Sequence, residues 1–189
     1  ETVFKILDTE PNIKEIDSSP TLEINAGNIE FKNVSFVYPK TDIDAVKNIN
    51  ISIKGGSTTA LVGHSGAGKS TIINLLPRFF DPKEGGIYID GQKISKVTLS
   101  SLRKNISMVS QDIILFDDTV RANIAYAKLD APEELIKKAC DFAAASDFIE
   151  DLPKSYETMI GENGIRLSGG QKQRISIARA VLKNSPIIL

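Results

Sequence analysis

The chain has 189 residues, with 23 Lys and Arg against 24 Asp and Glu, 41% hydrophobic residues and no Trp. That length carries one domain, or one domain with a subdomain, around a sizeable core. A net charge of −1 with the two signs interspersed excludes a nucleic-acid binder that works through bulk electrostatics.

In chain order, residues 1–28 read as a lead-in. Val3, Phe4, Ile6 and Leu7 outline a short apolar helix face, and Pro11, Ser18, Ser19, Pro20 and Gly27 punctuate a polar linker. From Ile29 the pattern turns to strands. Ile29, Phe31, Val34, Phe36 and Val37 are apolar among polar neighbours, and Ile49, Ile51 and Ile53 alternate. Gly55-Gly56 makes a turn, and Thr58–Val62 reads as a buried strand running into a glycine-rich loop. Ser70–Leu76 is a helix that Pro77 ends. Gly85-Gly86 and Asp90-Gly91 bracket a short strand, Ile87–Ile89, as in a hairpin. Leu99–Lys104 reads as a short helix and Ile106–Val109 as a buried strand. Helices follow at Val120–Ala127, Pro132–Ala144 and Ser146–Ile149. A loop with Gly161 and Gly164 precedes Ser168, which opens a long helix to about Lys183. Pro186–Leu189 begins another buried strand.

Cys140 is the single cysteine, which excludes an internal disulfide and suits a cytosolic setting. Its Ala-rich helical surroundings make it a small packing residue. One histidine, His64, cannot build a multi-His metal site. No run approaches the roughly 20 apolar residues of a membrane span, no basic run marks a membrane-surface helix, and no secretory signal opens the chain.

The strongest chemical signal is Gly63-His64-Ser65-Gly66-Ala67-Gly68-Lys69-Ser70, followed by Thr71. Glycines let the backbone wrap around phosphates with its N–H groups inward, and the helix beginning at Ser70 adds its positive end. Lys69 offers a compact cation to the β- and γ-phosphates, and Ser70 a hydroxyl to Mg²⁺. The loop sits between a predicted strand and a predicted helix, as that mechanism requires. It predicts binding of ATP with Mg²⁺. His64 lines the loop through its backbone.

A second signal is Leu167-Ser168-Gly169-Gly170-Gln171, then Lys172-Gln173-Arg174. Ser168 is an N-cap, and two glycines bare N–H groups at the positive end of a long helix. Alone, the stretch reads equally well as an anion site or as a helix start with a flexible entry.

With both signals in one chain, the sequence resembles the nucleotide-binding domain of ABC transporter ATPases, from Ile29 to Leu189. The Leu-Ser-Gly-Gly-Gln stretch is similar to that family's signature motif. The resemblance implies several roles. Tyr38, in Phe36-Val37-Tyr38-Pro39, would stack on adenine. Gln111, in Met108-Val109-Ser110-Gln111-Asp112, would approach Mg²⁺ and the attacking water as the catalytic candidate; Ser70 and Gln111 are thus the metal candidates. Ser168, Gly169, Gly170 and Gln171 would contact nucleotide. Gly161-Glu162-Asn163-Gly164 would form an acidic loop facing a transmembrane domain. Arg78-Phe79-Phe80-Asp81-Pro82, Leu115-Phe116-Asp117-Asp118-Thr119-Val120 and Phe148-Ile149-Glu150-Asp151-Leu152-Pro153 resemble exporters with fused membrane and nucleotide domains, nearest to bacterial lipid A and multidrug flippases.

The fold implied is α/β: a phosphate-loop NTPase core, an antiparallel β-subdomain near Ile29–Ile53, and a helical subdomain inserted at about residues 112–157. Residues 1–28 would be a linker from a transmembrane domain of the same polypeptide. Two domains would pair head to tail, so that Ser168, Gly169 and Gly170 of one close over ATP held by Lys69 of the other. ATP hydrolysis would drive export of a lipid or hydrophobic substrate from the cytoplasmic face of the inner membrane, with no nucleic acid as partner. One departure is large. In the family a run like Pro186–Leu189 leads into an Asp, a catalytic Glu and a later His, none of them in this sequence, so a fragment is expected. Two other readings stay open: a soluble ABC-type ATPase, and a nucleotide-binding and dimerisation module without turnover.

Overall fold

Strand β1 (Ile29–Val37) is the middle of an antiparallel sheet and shows how the sequence sets its own register. Ile29, Phe31, Val34 and Phe36 are all buried, although a strict two-residue period would put Phe31 and Val34 on opposite faces. The alternation is reset at Asn33, whose φ is 50°, and the pairing with β2 (Asp44–Ile53) slips between Phe31 and Val34. One bulge therefore keeps two halves of the strand facing one core.

The computed structural model describes residues 4, 13, 14 and 18–189; the helix face expected at Val3, Ile6 and Leu7 lies outside them. The chain divides into two units, Glu1–Asn105 and Ile106–Leu189.

In the first unit the strand order is β2-β1-β3-β4, all antiparallel, with β3 at Glu84–Ile89 and β4 at Gln92–Lys93. Asp90 and Gly91 link the last two with φ of 47° and 77°, the positive pair that a primed hairpin turn needs. Helices α1 (Lys69–Leu75) and α2 (Leu99–Lys104) lie in the same unit. Thr98 caps α2 by accepting from the Ser101 amide.

The latter part of the lead-in is laid onto this unit. The Lys14 carbonyl accepts from Arg78 Nη2 at 3.2 Å, the Pro20 carbonyl from the Thr98 amide at 3.0 Å, and the Leu22 amide donates to Ser101 Oγ at 2.8 Å. Asp90 then fixes the exit: its Oδ2 accepts from the amides of Asn25, Ala26 and Gly27 at 2.8–3.0 Å, and its Oδ1 from Asn28 at 2.8 Å. Burial works against that carboxylate, but the four N–H groups outweigh it and hold the carboxyl below its ordinary range.

Thr58–Val62 departs from expectation. The segment is irregular instead of a buried strand, and Val62 is 92% exposed. Its β-branched run suits a strand, but neither sheet includes it, and without a ladder of bonds extended backbone is only a solvated loop.

In the second unit β5 (Ile106–Ser107) pairs in parallel with β6 (Ile187–Ile188), Ile106 opposite Ile187. Helices α3 (Val120–Ala125), α4 (Glu133–Phe142), α5 (Ser146–Glu150) and α6 (Gly169–Lys183) form its core with intervening loops. On α4 the buried side chains Ile136, Ala139 and Cys140 continue to Ala143 beyond its end, a one-faced helical spacing. Pro132 is the N-cap of α4, one place earlier than a first-turn proline. Burial pushes the Cys140 thiol up to about 11, so it packs as a small apolar group. Among the described residues no helix is long and apolar enough to cross a membrane.

Candidate nucleotide-binding site

The glycine-rich loop enters α1 through left-handed backbone. Gly66 and Gly68 both have φ of 82°, and Gly68 is the N-cap. A Cβ on Gly68 would lie 2.7 Å from Val46 Cγ1 and 2.8 Å from the Ala45 carbonyl oxygen, so loop and β2 approach closely only because this residue is glycine. Behind it Ile72 N donates to the Gly68 carbonyl at 3.0 Å, and Ala67 N to the His64 carbonyl at 3.2 Å. The loop's shape is therefore fixed by its own backbone.

Lys69 Nζ donates to the carbonyls of Gly63 and His64, each at 2.8 Å. An ammonium placed over two neutral oxygens at the mouth of the loop is a cation drawn in by the fold and open to an anion. Ser65, Gly66, Ala67 and Ser70 are exposed, and Gly68 and Lys69 half-buried. The arrangement fits a triphosphate: bare N–H groups in a curled backbone, one lysine ammonium, and the Ser70 hydroxyl free of the core. His64 Nδ1 lies 3.0 Å from the Ser65 carbonyl, which leaves its ring a lining group.

Tyr38 follows β1 and is held on three sides. Its ring meets Phe36 and Phe80 edge-on, at 4.8 and 5.3 Å between centroids, and its hydroxyl lies 3.1 Å from Thr71 Oγ1. Thr71 is buried one residue past Ser70. The sequence marks Tyr38 for its ring face; the structure adds the hydroxyl, which ties it to α1. A local signal for that bond is lacking, because the partners are 33 residues apart.

The other expected residues belong to the second unit. Gln111 is exposed in irregular chain just after β5, where the Ser110 hydroxyl spans it by donating to the Asp112 carbonyl at 2.6 Å. Ser168 is the N-cap of α6: its hydroxyl accepts from Gln171 N at 3.3 Å, and Gln171 Oε1 accepts from Ser168 N at 2.9 Å. This reciprocal capping box was legible as Ser-x-x-Gln, yet the sequence reading assigned Gln171 a nucleotide role alone. Gly169 and Gly170 have open space around their missing side chains. Gly164, with φ of 62°, brings its loop against Leu115: a Cβ there would lie 2.7 Å from Leu115 Cδ1. Among the described residues no group of three or more His, Cys, Asp or Glu could hold a metal ion.

A phosphate loop opening one helix and a glycine-bearing capping box opening another define a phosphate-loop ATPase domain of the type that carries a second, signature element. The chain belongs to the ABC transporter family, whose model matches residues 46–189. It is 48% identical over 190 aligned residues to the ATP-dependent lipid A-core flippase of Escherichia coli strain K12, and equally to that of Shigella flexneri; each alignment takes in 100% of this chain and 32% of the relative. A bacterial Atm1-family ABC exporter with ATP bound superposes with a TM-score of 0.95 at 44% identity, over 99% of this chain and 32% of that one. The chain thus spans about a third of the length of the relatives it matches.

Proposed function

We propose that this chain is the ATP-binding and ATP-hydrolysing part of an exporter that moves a lipid or hydrophobic substrate across the inner membrane. The observation that carries the reading is the presence, in one chain, of the Gly63–Ser70 loop closed over by Lys69 and the Ser168–Gln171 capping box at the start of α6. The likeness to a lipid A-core flippase supports the lipid as cargo.

In this reading the amides of Ser65 to Ser70 and the Lys69 ammonium bind the β- and γ-phosphates. Lys69 exchanges its two carbonyl partners for charged oxygens, a stronger bond. Tyr38 receives the adenine on the ring face not taken by Phe36 and Phe80. Ser70 and Gln111 are each candidates to hold Mg²⁺, which would supply charge neutralisation on the phosphates, and Gln111 would orient water. Ser168, Gly169 and Gly170 serve the nucleotide of a second copy, head to tail, with their N–H groups and helix end capping what Lys69 cradles from the other side. The domain works at the cytoplasmic face, joined to a transmembrane domain of the same polypeptide.

The test is phosphate release from MgATP by the full-length protein in lipid vesicles with and without an acylated glycolipid. Hydrolysis stimulated by that lipid supports the reading. Absence of MgATP hydrolysis at every lipid composition overturns it.

A further inference from the structure

In the second unit the Arg179 side chain leaves α6 and ends on the stretch that follows Gln111. Its Nη1 donates to the Ile114 carbonyl at 2.7 Å, its Nε to the Asn123 carbonyl at 2.5 Å, and its Nη2 to Asn123 Oδ1 at 2.6 Å. The guanidinium also stands 5.7 Å from the centre of the Phe116 ring. Asn123 is wholly buried and extends the grip: Oδ1 accepts from the Phe116 amide at 2.9 Å, and Nδ2 donates to the carbonyls of Phe116 at 3.0 Å and Thr119 at 2.9 Å. Two side chains thereby fix both backbone polar groups of Phe116 and the carbonyl of Ile114.

All three Arg179 bonds go to neutral acceptors, and burial lowers its affinity for the proton it carries. Arg179 is half-buried, and none of these three bonds gives its charge an ionic partner. What the guanidinium adds is direction: a planar fork of donors reaching several acceptors at once, which neither lysine nor an alkyl chain can match. Its other end is rigid. Helix α6 is 15 residues long, capped by Ser168 and Gln171 at its start and by a left-handed Asn184 at its end.

We propose that Arg179 is a positioning residue for hydrolysis: it fastens Ile114–Phe116, and through them Gln111, to the helix that begins with Ser168. The two nucleotide-facing groups of this unit then move as one body. The proposal rests on the reading of Gln111 and Ser168 given above.

A double-mutant cycle in the full-length protein tests it, with Arg179→Lys, Gln111→Ala and both, reading kcat and KM for MgATP. Arg179→Lys is expected to lower kcat about tenfold with KM nearly unchanged, an effect on a group acting in the transition state and not in binding. In the Gln111→Ala background the same change should cost little more, because the group it positions is gone. Amide hydrogen exchange at Phe116 should rise in Arg179→Lys. A full tenfold loss in both backgrounds, or a wild-type kcat in Arg179→Lys, overturns the proposal alone. An unchanged kcat in Gln111→Ala overturns the reading of Gln111 and the proposal with it. If Arg179→Lys unfolds at the assay temperature, Phe116→Leu, which removes only the ring beneath the guanidinium, enters the same cycle under the same criterion.

Discussion

The Tyr38 hydroxyl lies 3.1 Å from Thr71 Oγ1, so the residue expected against adenine is bonded to the helix that carries Lys69 and Ser70. If Tyr38 stacks on adenine as proposed, adenine and phosphate recognition share one mechanical frame. Tyr38→Ala should weaken MgATP by about 0.5–1.5 kcal/mol, the scale of an aromatic contact. Tyr38→Phe keeps the ring but breaks the bond to Thr71, leaving a buried hydroxyl short of a partner. It should leave affinity within about twofold, yet cost roughly 0.5–1.5 kcal/mol of stability. Calorimetric titration and urea unfolding separate the two; a Phe variant that binds as poorly as Ala would remove the stacking role.

Lys69→Ala deletes the side-chain cation at the mouth of the loop and should lower MgATP affinity about tenfold to a hundredfold, from a charge-assisted contact of roughly 1.5–3 kcal/mol. Because, among the described residues, the Lys69 ammonium bonds the Gly63 and His64 carbonyls of its own loop, the variant's melting temperature should stay near wild type. Unchanged affinity by calorimetry would refute the phosphate-loop assignment.

Asp90→Asn should destabilise the first unit by about 1–2 kcal/mol, the low end for bonds to a charged acceptor because the site is open to water. The amide nitrogen cannot accept, so part of the four-bond set is lost. The pH dependence follows from a carboxyl held below its ordinary range. Its contribution is complete above the unfolded value of about 3.9 and fades as pH falls through the lower folded one. Urea midpoints of wild type and the Asp90→Asn variant should therefore converge on acidification; a gap that stays constant down to strong acid would contradict this account.

Gly169→Asp should fold normally, since the position has open space and an acidic side chain suits the first turn of a helix. MgATP should still bind each separate domain, while ATP-dependent dimers, followed by light scattering, disappear through repulsion of phosphate. Loss of binding by the separate domain would place the Ser168 helix beside its own nucleotide.

Much of this was legible in the sequence because it is local. Alternating isoleucines marked β2, Asp90-Gly91 the turn between β3 and β4, and Ser168 the start of α6. The Thr58–Val62 run was misread because β-branched composition states a preference, whereas a strand also needs a neighbour, and composition does not say where one is. The Arg179–Asn123 network escaped for a different reason. Its members are 56 residues apart, and nothing near either in sequence marks a polar group destined for burial. Asp90 fell between these cases: its turn was plain, but its four bonds to residues 62–65 positions earlier were not.

The stitching of the lead-in has a consequence for synthesis on the ribosome. Leu22 is made 79 residues before the Ser101 hydroxyl that takes its amide proton, and Lys14 is made 64 residues before Arg78. At roughly 5–20 residues per second, Leu22 waits about 4–16 s for its partner. Within that interval Arg78 and then Asp90 are made, so Lys14 and Asn25 to Asn28 gain their partners before Leu22 does. Of the bonds that tie the lead-in to the first unit, the one at Leu22 therefore waits longest in synthesis, although Leu22 precedes every strand of that unit.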